Sequence, residues 1–155
     1  MNGFKIISLF FLLMILQNCA SKYRPDLKGK NRSEERIKLV RNFAVDYFSK
    51  CEKKDYSEMQ GYKMDINLKN KLTPESFQKS CEYYDNKYGI VTIGTLKSAK
   101  SNYSPKDFLD YFIFSAKGSK NDSVQSVRVN IYRDNNMFER ISIPRYGATK
   151  SKRYN

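Results

Sequence analysis

Three cysteines, Cys19, Cys51 and Cys81, carry the most distinctive chemistry of this 155-residue chain, which contains no histidine. Without histidine there is no Ser–His or Cys–His nucleophile pair, and the commonest general base and metal ligand is missing. No glycine-rich phosphate loop occurs either. Two cysteines unsupported by histidine rarely make a zinc site, so neither a metal nor another cofactor is expected. One carboxylate pair is close in sequence: Asp107 and Asp110, at the start of a β-prone run. Such a pair could exchange protons with a substrate. The plainer expectation is a capping Asp107 and an edge-facing Asp110. The chain is therefore expected not to be an enzyme, with a carboxylate-based cavity activity as an alternative.

Cys19 stands directly after an apolar segment. Lys5 supplies a positive start, and Ile6 to Leu16 form an 11-residue apolar run. A bilayer span needs about 20 residues, so this run fits a secretory signal instead. Leu16-Gln17-Asn18-Cys19 resembles a lipobox, matching at Leu16 and Cys19 and departing at Gln17 and Asn18, where small residues are usual. This implies that residues 1–18 are a lipoprotein signal peptide and that Cys19 carries the lipid. The alternative is an ordinary signal cleaved after Ala20 or Ser21. Residues 19–32 then read as a flexible tether, residues 33–144 as one domain, and residues 145–155 as a basic disordered tail. With Cys19 used by lipid, Cys51 and Cys81 remain as an even pair in an exported chain. A disulfide there closes a loop of about 30 residues and stabilises by about 3.5 kcal/mol in the loop-entropy model. The alternative is two buried thiols that act as small hydrophobes.

The elements that position these residues follow from periodicity. Ser33 or Asn31 caps a first helix, with Glu34 and Glu35 in its first turn. Ile37, Val40, Ala44, Tyr47, Phe48 and Cys51 fall on one helical face. Asp55-Tyr56 opens a weaker helical stretch through Met59, Tyr62 and Ile66. Thr73 reads as the next N-cap and Pro74 as the first helical residue, with Leu72 and Phe77 as a hydrophobic staple. Phe77, Cys81, Tyr84 and Tyr88 share a face, and Gly89 ends the helix. The period then changes to two. Strands are expected at Ile90–Ala99, at Phe108–Ala116 (apolar on both faces, hence central), at Val124–Arg133 and at Met137–Ile143. Ser104–Asp107 forms a cap-like turn and Asp134-Asn135-Asn136 a hairpin turn. In the third strand Val127, Val129 and Ile131 point inward, with Ser126, Arg128 and Asn130 outward. In the fourth, Ile141 and Ile143 point inward. Helices followed by strands make an α+β domain, with N-terminal helices on one face of an antiparallel sheet of three to four strands.

Net charge is +13 and is unevenly spread. Ile37–Ile143 holds 18 basic and 13 acidic residues, Ala20–Arg36 holds six and three, and Pro144–Asn155 holds four basic residues and no acid. An exported protein meets anions other than nucleic acid, which is not expected as a partner. The expected partners are the membrane, through the lipid, and an anionic glycan, a lipid headgroup or an acidic protein. Tyrosine combines apolar area with a hydroxyl and is favoured at recognition surfaces. Tyr84, Tyr88, Tyr111 and Arg128, with neighbouring lysines such as Lys97 and Lys100, are therefore the candidate ligand-binding residues. The alternative for each ring is a place over the helix–sheet core.

Asp55-Tyr56 after a helix, the Thr73-Pro74 helix start, the Tyr88-Gly89 helix end and the closing strands together define an order of elements. That order resembles small bacterial exported domains of the nuclear-transport-factor-2-like or cystatin-like α+β group. The resemblance covers about residues 33 to 144 and implies a curved sheet wrapped around helices, with a cone-shaped cavity used for binding, assembly or, in some members, catalysis. It transfers no catalytic residue. The expected function is a lipid-anchored, non-enzymatic binding module of the cell envelope. The alternatives are a surface-exposed, adhesin-like polyanion-binding protein and a cavity enzyme using carboxylates. The expected location is a bacterial membrane, the outer membrane or cell surface rather than the inner membrane.

Overall fold

The first long helix begins where Ser33 leaves helical geometry and its hydroxyl accepts from the Arg36 amide at 3.3 Å. In the computed structural model, which describes residues 26–101, 108–120, 124 and 126–144, this is α1, Glu34–Lys53. Its buried face is Arg36, Val40, Phe43, Ala44, Tyr47 and Phe48. Ile37, expected in the core, is half-buried, and the fully enclosed Phe43 takes the central place.

The helix expected from Asp55 onward is absent before Ile66. Asp65 caps a short α2, Ile66–Lys71, by accepting from the Leu68 amide at 2.7 Å. Gly61, at φ +79°, makes the preceding chain irregular. The segment is held by the buried Met59 and Met64 and by two backbone hydrogen bonds to Phe138. Helix α3, Pro74–Tyr88, starts with Pro74 in its first turn. Thr73 stands at the N-cap position without a side-chain cap bond, and Leu72 and Phe77 are both buried as a staple requires. Gly89 ends α3 at φ +70°, where a β-carbon would collide with Ser119.

The strands β1 (Val91–Ser101), β2 (Leu109–Gly118), β3 (Ser126–Tyr132) and β4 (Phe138–Ser142) form one open antiparallel sheet in chain order. Strand β2 is internal, as its apolar content requires. Phe112 pairs with Val129 and Phe114 with Val127, and all four are fully buried on the face beneath the helices. The protein is thus α+β, with its helices preceding the sheet and packed on one face.

Strict alternation fails in β4. A register shift between the pairs Asn130–Arg140 and Ile131–Phe138 places Phe138 and Ile141 on the same inner face, although three positions separate them. Phe138 then stacks on Phe43 at 4.0 Å. Ile143, expected inward, is half-buried. In β3 the expected outward residues Ser126 and Asn130 are buried. Asn130 is held by hydrogen bonds at 2.8 Å to Arg128 and Glu139.

Residues 26–32, expected within a tether, pack onto the domain. Asp26 bridges Lys100, Leu27 is buried, and Gly29–Arg32 form a 3-10 turn. Arg41 covers part of the open β1 edge by donating to the carbonyls of Ile93 and Gly94, each at 3.3 Å. The expected signal segment with Cys19, the expected turn at Ser104–Asp107 and the expected 145–155 tail lie outside the described residues.

Candidate functional site

Asp110 is fully buried, not edge-facing. The inner side of β2 draws it under the start of α1, where one oxygen accepts from Arg36 at 2.6 Å and the other from Arg133 at 2.6 Å. Arg36 also donates to the Asn136 side chain and to the carbonyls of Asn31 and Tyr132. Arg133 also holds Ser101. Both carboxylate oxygens are occupied by guanidinium groups, so this cluster ties the start of α1 to one end of the sheet. The role of Arg36 was readable: it shares helical phase with Val40, Phe43 and Tyr47, and so was bound to face the core.

Cys51 and Cys81 form a disulfide between α1 and α3, with Cα atoms 5.0 Å apart. The four candidate ligand-binding residues are not brought together. Tyr84 and Tyr88 belong to an aromatic group in the helix layer with Tyr47, Phe48 and Tyr83. Burial raises the Tyr84 phenol pKa above its ordinary value, and Tyr83 and Tyr88 raise it further. Tyr88 is buried, and Lys87 lies over both its ring and that of Tyr83. Tyr111 and Arg128 lie on the opposite face of the sheet, the guanidinium 4.2 Å from the ring centroid. Tyr111 is buried too, so neither it nor Tyr88 offers a free ring face; both complete the packing.

Three clefts differ in electrostatic character. One of about 280 Å³ lies in the helix layer beside the disulfide, with Glu52, Glu82 and Asp85 against Lys54. A second, about 330 Å³, adjoins the Asp110 cluster and mixes Lys30, Arg36 and Arg133 with Glu35 and Asp134. The third, about 400 Å³, is a groove on the outer face of the sheet. Among the described residues it is lined by Thr92, Lys97, Ser115, Lys117 and Val124 and others, none of them a carboxylate.

Local sequence builds this groove. Two register shifts within Ile93–Ser98 break the alternation of β1, and Lys97 lines the groove as a result. Gly94 lets β1 approach the Ser115 hydroxyl, which a β-carbon there would strike. Ser115 donates to the Thr95 carbonyl at 3.2 Å. Lys117 follows from simple alternation, on the same side of β2 as Tyr111, Ile113 and Ser115. That signal was present in the sequence and passed over. The outer face continues with Lys100, Arg128 and Arg140, and its acids among the described residues include Glu139 and Asp26, which stands opposite Lys100. Ammonium and hydroxyl groups can hold phosphate, sulfate or carboxylate oxygens.

Among the described residues, no three His, Cys, Asp or Glu side chains group to hold a metal ion, and no helix is long and apolar enough to cross a membrane. Fold and site together define an α+β protein with an open four-stranded sheet and a basic outer groove. Compared with known proteins, the chain matches no family model, no curated protein sequence and no solved structure.

Proposed function

We propose that this chain is a lipid-anchored, non-enzymatic binding module of the bacterial cell envelope that engages an anionic partner on the outer face of its sheet. The observation that carries this reading is the groove lined by Lys97 and Lys117, with no carboxylate among its described lining residues, continued by Lys100, Arg128 and Arg140. Binding is favoured over catalysis because Asp110, the carboxylate best enclosed by the fold, already has both oxygens engaged by arginine. The lipid anchor rests on the apolar run ending at Cys19. The resemblance to the nuclear-transport-factor-2-like or cystatin-like group remains part of this proposal.

The test uses the full mature chain in detergent on a sulfated-polysaccharide resin. The pair Lys97→Glu with Lys117→Glu is expected to elute at clearly lower salt than the wild type. The pair Lys53→Glu with Lys71→Glu changes net charge equally but acts in the helix layer, so it should shift elution much less. Equal shifts for the two pairs would show that only net charge matters and would remove the site.

A further inference from the structure

We infer that the anionic partner of the outer sheet face is the headgroup layer of the membrane that carries the anchor, so that the sheet faces this leaflet and the helices face away. The inference rests on the reading above, both for the lipid on Cys19 and for the basic face.

The tether meets the domain at an edge of this face. Asp26 forms an antiparallel bridge with Lys100, and the Leu27 amide donates to the Ala99 carbonyl at 2.9 Å. The chain coming from Cys19 therefore joins the domain on β1, an edge strand, next to a lysine of the outer face. Seven residue steps lead from Cys19 to Asp26, and seven extended residues reach at most about 25 Å. The short link keeps the edge of the outer face close to the leaflet. Attraction to an anionic leaflet acts only within about 10 Å at ordinary salt, and a link of this length leaves the outer-face lysines free to come within that range.

The outer sheet face and the helix-layer cleft carry charge of opposite sign. The outer face sets Lys97, Lys100, Lys117, Arg128 and Arg140 against Asp26 and Glu139. The helix-layer cleft sets Glu52, Glu82 and Asp85 against Lys54. The helices also expose Lys38, Lys53, Lys69, Lys71, Lys79 and Lys87, so an anionic leaflet repels only that cleft, and it is the outer face that it draws more strongly. The outer face also offers Leu109 and Ile113, both half-buried, between its cations. Apolar groups beneath cationic tips suit a headgroup boundary.

Lysine footprinting on the lipidated full chain tests this orientation. The chain is reconstituted in vesicles of phosphatidylcholine alone, or with about 30% phosphatidylglycerol to supply the anionic surface. Brief amine acylation followed by mass spectrometry reads each lysine. On anionic vesicles Lys100 and Lys117 are expected to react at least about threefold more slowly than on neutral ones, while Lys53 and Lys71 are unchanged. High salt should abolish the difference. Equal rates at all four lysines, or protection of Lys53 and Lys71 instead, overturns the orientation. The same footprint on the full Cys19→Ser chain with soluble heparin separates the two layers of the argument. Protection of Lys117 by heparin but not by anionic vesicles overturns the membrane partner and leaves the anion-binding face standing. The intact mass of the native chain reports independently whether Cys19 carries lipid.

Discussion

Asp110 shares its two oxygens between Arg36 and Arg133 with no exposure to solvent, and Arg36 itself is only 6% exposed. Removing one member of such a cluster strands a buried charge, which typically costs about 3–5 kcal/mol, whereas removing both partners together costs less. Asp110→Leu is therefore expected to lower unfolding free energy in urea by about that amount, and Asp110→Leu with Arg36→Met to recover part of the loss. An Asp110→Leu protein within about 1 kcal/mol of the wild type would refute the coupling. The tyrosines give a pH counterpart. Burial raises the phenol pKa values of Tyr47, Tyr62 and Tyr84; Tyr84 adds to the effect at Tyr47, and Asp46 at Tyr62. The fold favours the neutral phenol, so this stabilisation is fully present below the unfolded value of about 10 and is lost as pH rises toward the folded values. Phenolate absorbance is expected to show these three titrating late, together with unfolding. A single step near pH 10 for all 12 tyrosines in a protein still folded would contradict this.

At the scale of elements, the disulfide is the covalent link between α1 and α3. Its cysteines are 30 positions apart, and releasing that loop in the unfolded chain is expected to lower stability by about 3.5 kcal/mol. Cys51→Ser with Cys81→Ser, measured by thermal unfolding, checks the magnitude; an unchanged midpoint would mean that α1–α3 packing alone holds the pair together. The turns and caps of these elements were legible because each depends on near neighbours: Ser33 before Glu34 and Glu35, Pro74 after Thr73, and Gly89 where a left-handed φ is needed. The β4 bulge was not legible. That Phe138 turns inward follows from its stacking on Phe43 across the core, and no local pattern records that contact. The stretch from Asp55 to Asp65 had helical spacing but serves as an irregular strap, because Phe138 supplies hydrogen bonds to its backbone that a helix would have made internally.

Across the whole molecule, the uneven charge seen in sequence acquires a direction. The body between Ile37 and Ile143 is only modestly basic, yet the sheet separates a cationic outer face from an acidic cleft in the helix layer. The candidate site was half-readable for the same reason. Lys97, Lys100 and Arg128 were named from their aromatic neighbours, but Lys117 completes the groove and Tyr84 and Tyr88 belong to another layer.

By itself the sequence determined the class of the fold, the order and type of its main elements, the central place of β2, the inward row of β3, and the missing histidine chemistry. Those properties come from composition and from periods of two and 3.6, which act over a few residues. The tertiary structure alone decided that Asp110 is buried between two arginines, that residues 26–32 join the domain, and which cations share a groove. Each depends on residues tens of positions apart arriving at one place, and only the packing of the helices on the sheet fixes that meeting.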